Sequence, residues 1–217
     1  MTYQVIELEK WKRKEHFEHY VNTVPCTYSV TVELDVTRVV AASKKAQIKF
    51  YPLMIFALAK AVNQSEEFRM GMVDKQLVIW DELHPSYTIF HQKQETFSAI
   101  WTEYREDWQD FNQQYQNDEI AYGECQTLFA KPLLPDNHFN VSSFPWFSFT
   151  GFNLNLPEIG DYLAPSFTMG KYQLDNHRRV MPLSIQVHHA VCDGYHVAQF
   201  LERLEKCIAE LADQLTN

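Results

Sequence analysis

Val180 to His188 reads VMPLSIQVH, an apolar run of strand length, and it stops at a pair of histidines, His188 and His189. Beyond it, Val197, Phe200, Leu201, Leu204, Ile208, Leu211 and Leu215 recur on one helical face. This succession leaves the C-terminal part of the chain few options. A strand ending in ionisable side chains delivers them rigidly to a surface or cleft, and the amphipathic helix after it packs back on the sheet. Pro182 predicts an edge strand or a bulge, because it lacks a ladder N–H. Gly194 predicts a tight or left-handed turn from strand into helix.

The rest of the chain mixes both periods. SVTVEL (29–34) alternates apolar and polar, as a half-buried strand does. Pro52 suits a first helical turn, and PLMIFALAKAV predicts a largely buried helix. LVIW (77–80) and YTIFH (87–91) predict short strands, with a turn in DELHP between them. Residues 96–116 predict a long surface helix, with Trp101, Tyr104, Trp108, Phe111 and Tyr115 along one face. Phe147 to Leu156 (FSFTGFNLNL) alternates as a strand does. The fold expected is α/β, a two-layer sandwich with a mixed β-sheet and packed helices. No repeat or linker-like tract divides the chain, so residues 1–217 are expected to form one domain.

Composition narrows the function classes. Apolar residues make up 46% and aromatics 14%, ample for a full core. The net charge of −9 argues against a nucleic-acid binder, which needs a basic face. A local Lys/Arg cluster could still hold an anionic cofactor. No apolar stretch reaches the roughly 18 residues of a membrane span, and the charged N-terminus lacks a secretory signal, so a cytoplasmic protein is expected. Cys26, Cys125, Cys192 and Cys207 show no C-x-x-C or metal-finger spacing. They are expected to stay reduced and mostly to pack as small apolar groups.

The chemistry concentrates in His188-His189-Ala190-Val191-Cys192-Asp193-Gly194. An imidazole with an ordinary pKa of about 6.5 supplies a neutral base at neutral pH. Asp193, at the start of the last helix, is placed to cap backbone N–H groups or to pair with an arginine. Two other readings exist. His188, His189, Cys192 and Asp193 could bind a metal, but adjacent strand side chains point to opposite faces. Cys192 could be a nucleophile beside a histidine, though a cysteine after an apolar run is more often simply buried.

The heptapeptide matches the His-His-x-x-x-Asp-Gly signature of CoA-dependent acyltransferases. WKRKEHF (11–17), Phe50-Tyr51-Pro52, FRMGMVDKQLVIWD (68–81), TIFHQKQETFSAIW (88–101), PWFSFTGFNLN (145–155) and FTMGKY (167–172) extend the likeness over nearly the whole chain. In these segments the chain resembles the chloramphenicol acetyltransferases. The resemblance implies transfer of acetyl from acetyl-CoA to the 3-hydroxyl of chloramphenicol in a ternary complex, without an acyl-enzyme and without a metal, which confers antibiotic resistance. His189 would be the general base. Ser142 would donate to the tetrahedral oxyanion, and Thr168 would hold a water beside it. Arg13 would pair with Asp193 to hold the loop that carries His189. Tyr20, Cys26 and Tyr28 align with the drug-pocket wall, Tyr28 standing where Phe is common. Trp146 and Tyr172 align with CoA contacts. The family implies a homotrimer with its sites between subunits, the histidine from one and most of the drug pocket from the next. Acetylation of another small hydroxyl compound, and binding of drug or CoA without turnover, are the alternative functions. No nucleic-acid or membrane partner is expected.

Overall fold

The computed structural model describes residues 2–155 and 161–216, and among these lie ten strands and five α-helices. The strands are β1 Tyr3–Val5, β2 Thr27–Asp35, β3 Met70–Val73, β4 Gln76–Trp80, β5 His84–His91, β6 Thr96–Trp101, β7 His138–Phe144, β8 Ser166–Gly170, β9 Gln173–Asp175 and β10 Arg178–His188. The helices are α1 Lys14–Glu18, α2 Thr37–Ala46, α3 Phe50–Asn63, α4 Trp108–Tyr122 and α5 Gly194–Thr216. The main sheet runs β2-β10-β8-β7-β5-β6, with β9 beside β10, and a smaller sheet runs β1-β4-β3. β7 is parallel to β5 and to β8 while the other pairs are antiparallel, so the main sheet is mixed, as expected.

Helices pack against this sheet. α3 has ten buried residues among its fourteen, which its apolar density dictates, and Pro52 sits in its first turn, where no N–H is required. α2 and α3 both lie against α5, whose buried side chains include Val197, Phe200, Leu204, Ile208 and Leu211. Leu201 and Leu215, expected on the same stripe, are only partly buried. At about 25 cal/mol per Å² of apolar surface, each fully buried Leu or Phe contributes roughly 2 kcal/mol. Phe68, Phe167 and Phe200 stack between sheet and helix, Phe68 and Phe200 with centroids 4.4 Å apart.

The expected helix over 96–116 is two elements. Thr96–Trp101 is β6, paired with β5 from Ser86↔Trp101 to His91↔Thr96. Glu95, at φ 53°, closes the connecting turn. The period of two was present in TFSAIW, where Ser98 and Ile100 are buried and Phe97 is exposed. Trp101 and Tyr104 fell by accident on the spacing of the true stripe, Trp108, Phe111 and Tyr115. The helix starts where Asp107 caps it, its carboxylate accepting from the N–H of Gln109 at 2.7 Å and of Asp110 at 3.2 Å. Trp101 instead offers its ring face to the Lys131 ammonium at 3.9 Å. That ammonium pairs with buried Asp118 of α4 at 2.7 Å.

Two further expectations are corrected, and the third, at Pro182, is narrowed to one of its two alternatives. The described part of FSFTGFNLNL joins no strand, and Leu156 lies outside the described residues. Side chains take the place of a ladder: Thr31 Oγ1 accepts from Phe152 N–H, Ser184 Oγ donates to Phe152 O, and the Gln186 amide bonds both N–H and C=O of Leu154. The turn expected over DELHP is shorter, because His84 and Pro85 already belong to β5 and Asn63 holds Leu83 N–H and C=O. Pro182 lies in a central strand, not at an edge. Leu183 pairs with Met169 and Val180 with Gln173, so two β10 residues face three across the gap, a bulge in which no ladder N–H is needed at Pro182.

Candidate active site

β10 carries His189 one residue beyond its last paired position, and the His189 N–H still bonds Cys26 O at 3.0 Å. The imidazole Nδ1 lies 3.1 Å from the Cys192 carbonyl oxygen. A carbonyl only accepts, so Nδ1 holds a ring proton, and in the neutral ring the lone pair is on Nε2. Tyr20 stacks on this ring with centroids 4.1 Å apart, and Tyr28 meets it edge-on at 5.1 Å. The ring is half-buried. Tyr20, Cys26 and Tyr28 thus stand with His189 on one chain. The β2–β10 register, Val187↔Tyr28, fixes the arrangement inside the chain. Cys26 and Tyr28 also line a groove of about 620 Å³ between β2 and the 150–155 segment.

The loop after His189 is held by an ion pair. Arg13, buried to 8% exposure just before α1, donates from Nη1 to Asp193 Oδ2 at 2.7 Å. Asp193 Oδ1 accepts from Tyr195 N–H at 3.1 Å, so Asp193 performs both of its expected tasks. Burial alone would raise its carboxyl, but the hydrogen bond and charge of Arg13 and the Tyr195 N–H hold it below the ordinary range. Gly194 is not in the left-handed region and a Cβ there meets no atom within 4 Å, so the strand-to-helix turn does not require glycine.

Neither alternative chemistry fits. His188 is buried and its Nδ1 accepts the Ala190 N–H at 3.1 Å, turned away from the partners of His189. Burial pushes the Cys192 thiol up to about 12, with the Glu67 and Asp193 charges adding to it, the opposite of an activated nucleophile. The cysteines are free; Cys192 and Cys207 are buried and Cys125 is exposed. The Tyr28 hydroxyl is buried beside the Cys192 thiol and makes no hydrogen bond of ordinary length and angle, and burial raises its pKa well above the ordinary range.

Ser142, Thr168, Trp146 and Tyr172 form a second group. Ser142↔Thr168, Thr168↔Ser184 and Ser184↔Thr31 are successive register pairs, so four hydroxyls cross β7, β8, β10 and β2 in one row. Ser184 and Thr31 were not foreseen, since only the register reveals such a row. The loops after β7 and β8 are tied by Lys171 N–H to Phe147 O at 2.9 Å. They carry Trp146, exposed and edge-on to Phe90 at 4.7 Å, and Tyr172, edge-on to Phe50 at 5.5 Å. Tyr172, Lys171, Phe50, Tyr51 and Pro145 line a mostly apolar cleft of about 550 Å³.

The two groups do not meet on one chain. His189 lies five residues beyond Ser184, the β10 residue in register with Thr168 and Ser142. At about 3.3 Å per residue along the strand and about 4.8 Å per strand across, His189 and Ser142 are roughly 19 Å apart.

A sequence profile of the family described as "Chloramphenicol acetyltransferase" matches residues 1–205. A chloramphenicol acetyltransferase of Clostridium perfringens is 47% identical over 209 residues, covering 96% of this chain and 99% of the relative. One of Clostridium butyricum is 45% identical over 218 residues and covers both chains fully. One of Vibrio anguillarum is 48% identical over 212 residues, covering 97% of this chain and 96% of the relative. A solved chloramphenicol acetyltransferase superposes with a TM-score of 0.84 at 22% identity, covering 95% of this chain and 100% of that one. A dihydrolipoamide acetyltransferase of Azotobacter vinelandii superposes at 0.65 with 17% identity, covering 90% and 86%, a likeness of fold.

Proposed function

Because this chain belongs to the chloramphenicol acetyltransferase family and is an acyltransferase, we propose that it moves acetyl from acetyl-CoA to the 3-hydroxyl of chloramphenicol with His189 as general base. Nε2 takes the hydroxyl proton as the oxygen attacks the thioester carbonyl. The tetrahedral oxyanion accepts a hydrogen bond from Ser142, and a donor of this kind is worth about 3 kcal/mol. Thr168 holds a water beside the same oxygen. Collapse breaks the C–S bond, and the imidazolium returns its proton to the departing thiolate, leaving the ester and free CoA. A ternary complex without an acyl-enzyme agrees with a Cys192 thiol held neutral by burial.

The observation that carries the reading is the Nδ1–H bond of His189 to Cys192 O, which leaves Nε2 as the basic end of a ring wedged between two tyrosines. The separation of His189 from Ser142 supports active sites formed between copies, in a homotrimer. Tyr20, Cys26 and Tyr28 would face the drug from the histidine side. Trp146 and Tyr172 would hold CoA at the apolar cleft. No described helix is long and apolar enough to cross a membrane; we place the enzyme in the cytoplasm, as one domain, acting in antibiotic resistance. The test mixes protein, acetyl-CoA and chloramphenicol and follows free thiol. Release is expected, with His189→Ala abolishing it in an intact assembly. No release above background overturns the substrate reading, and substantial turnover by His189→Ala overturns the base.

A further inference from the structure

One peptide unit separates two imidazoles. The Cys192 carbonyl accepts from His189 Nδ1–H at 3.1 Å, and the Asp193 N–H of the same peptide donates to His196 Nδ1 at 3.1 Å. A peptide is planar and stiff, so fixing its N–H end fixes the direction of its C=O end. Donation from the N–H also polarises the carbonyl and strengthens its hold on His189. His196 is itself fixed. It is buried in the first turn of α5, its Nε2 lies 3.4 Å from Glu67 Oε1, and Glu67 sits just after α3. With the proton on Nε2, facing the Glu67 carboxylate, Nδ1 is left bare to take the Asp193 N–H. The other charged group beside this ring is the Asp193 carboxylate, with Oδ1 at 3.0 Å, already engaged by Tyr195 N–H and, through Oδ2, by Arg13.

We propose that His196, backed by Glu67, is a positioning residue for His189, acting through the Cys192–Asp193 peptide. It touches no reacting atom. It keeps the carbonyl aimed at Nδ1 and so keeps the lone pair on Nε2. The proposal rests on His189 being the base.

The test uses the full-length protein and acetyl-CoA with chloramphenicol. His196→Ala is expected to lower kcat roughly tenfold while both KM values stay within about twofold. His196→Asn is expected to recover most of kcat, because the Asn Oδ1 stands near the Nδ1 place and accepts the same N–H. ¹⁵N chemical shifts of the His189 ring are expected to show a single Nδ1–H tautomer in wild type and His196→Asn, and a tautomer mixture in His196→Ala. Wild-type kcat in His196→Ala, or no difference between Asn and Ala at 196, overturns the proposal. If His196→Ala fails to fold, His196→Gln replaces it. The Gln amide reaches the Nε2 place instead, so equal kcat for Gln and Asn also overturns the proposal. Turnover by His189→Ala would remove the base reading, and the ring shifts then test the peptide clamp alone.

Discussion

The ring of Tyr20 lies on the imidazole of His189, with centroids 4.1 Å and planes 24° apart. The stack covers one face of the imidazole, the edge of Tyr28 stands at 5.1 Å, and Cys192 O holds Nδ1. Three contacts from β2, the segment after α1 and the loop after β10 therefore leave the imidazole little rotational freedom.

Tyr20→Ala removes the stack and frees the ring to turn. An aromatic pair contributes about 0.5–1.5 kcal/mol beyond its buried area, so kcat/KM is expected to fall roughly 3- to 10-fold. Tyr20→Phe keeps the ring face and is expected to stay within about twofold of wild type. Steady-state kinetics by thiol release reads both.

Tyr28→Phe deletes a buried hydroxyl whose one polar neighbour is the Cys192 thiol, a weak hydrogen-bonding group that makes no bond of ordinary geometry with it. An unsatisfied buried polar group costs about 1–3 kcal/mol, so this variant is expected to be more stable by roughly 1 kcal/mol. A raised urea midpoint checks it, and a lowered midpoint would show that the hydroxyl is bonded.

Arg13→Ala leaves Asp193 without its cation. Breaking a fully buried pair costs about 3–5 kcal/mol; the Asp193 side chain is 35% exposed, so about 2 kcal/mol is expected at neutral pH. The folded carboxyl titrates below its unfolded value of about 3.9. Its stabilisation is therefore full above that pH and disappears as the pH falls through the lower folded value. The gap in unfolding free energy between wild type and Asp193→Asn should be constant from neutral pH down to about 5 and close below about 4.

Lys131→Ala strands Asp118, which is buried and also accepts from Thr102 at 2.9 Å. The Lys131 and Asp118 side chains are only 12% and 5% exposed, so a loss of about 3 kcal/mol is expected. Lys131→Met, which keeps the stem over Trp101 but not the charge, should fall nearly as far, measured by denaturant titration.

How far the chain could be read in advance differs between its parts. HHAVCDG announced its own geometry, since a strand end and a helix start are local patterns and His189 falls between them. Alternation in SVTVEL and the apolar run after Pro52 worked for the same reason. TFSAIW failed because Trp101 and Tyr104 extended a true helical stripe backwards, and only pairing with β5 decides between the two periods. The row of Thr31, Ser184, Thr168 and Ser142 depends on the register of four strands, which no single segment encodes. Arg13 lies in a charge run that reads as solvated surface; its place beside Asp193, 180 residues away, came from family resemblance and not from any local signal. His196 did leave a trace, one helical turn after Asp193, but a histidine on the inner side of an amphipathic helix reads equally well as core.

The gap between His189 and Ser142 changes what is being counted when activity is measured. On the proposed mechanism, the working unit is a seam between two copies, with each chain contributing a different half to each of two seams. A head-to-tail row of three copies has two seams, whereas a ring of three has three, and only the ring leaves no half idle. Dilution should then cost turnover in proportion to seams lost, well before any single chain unfolds.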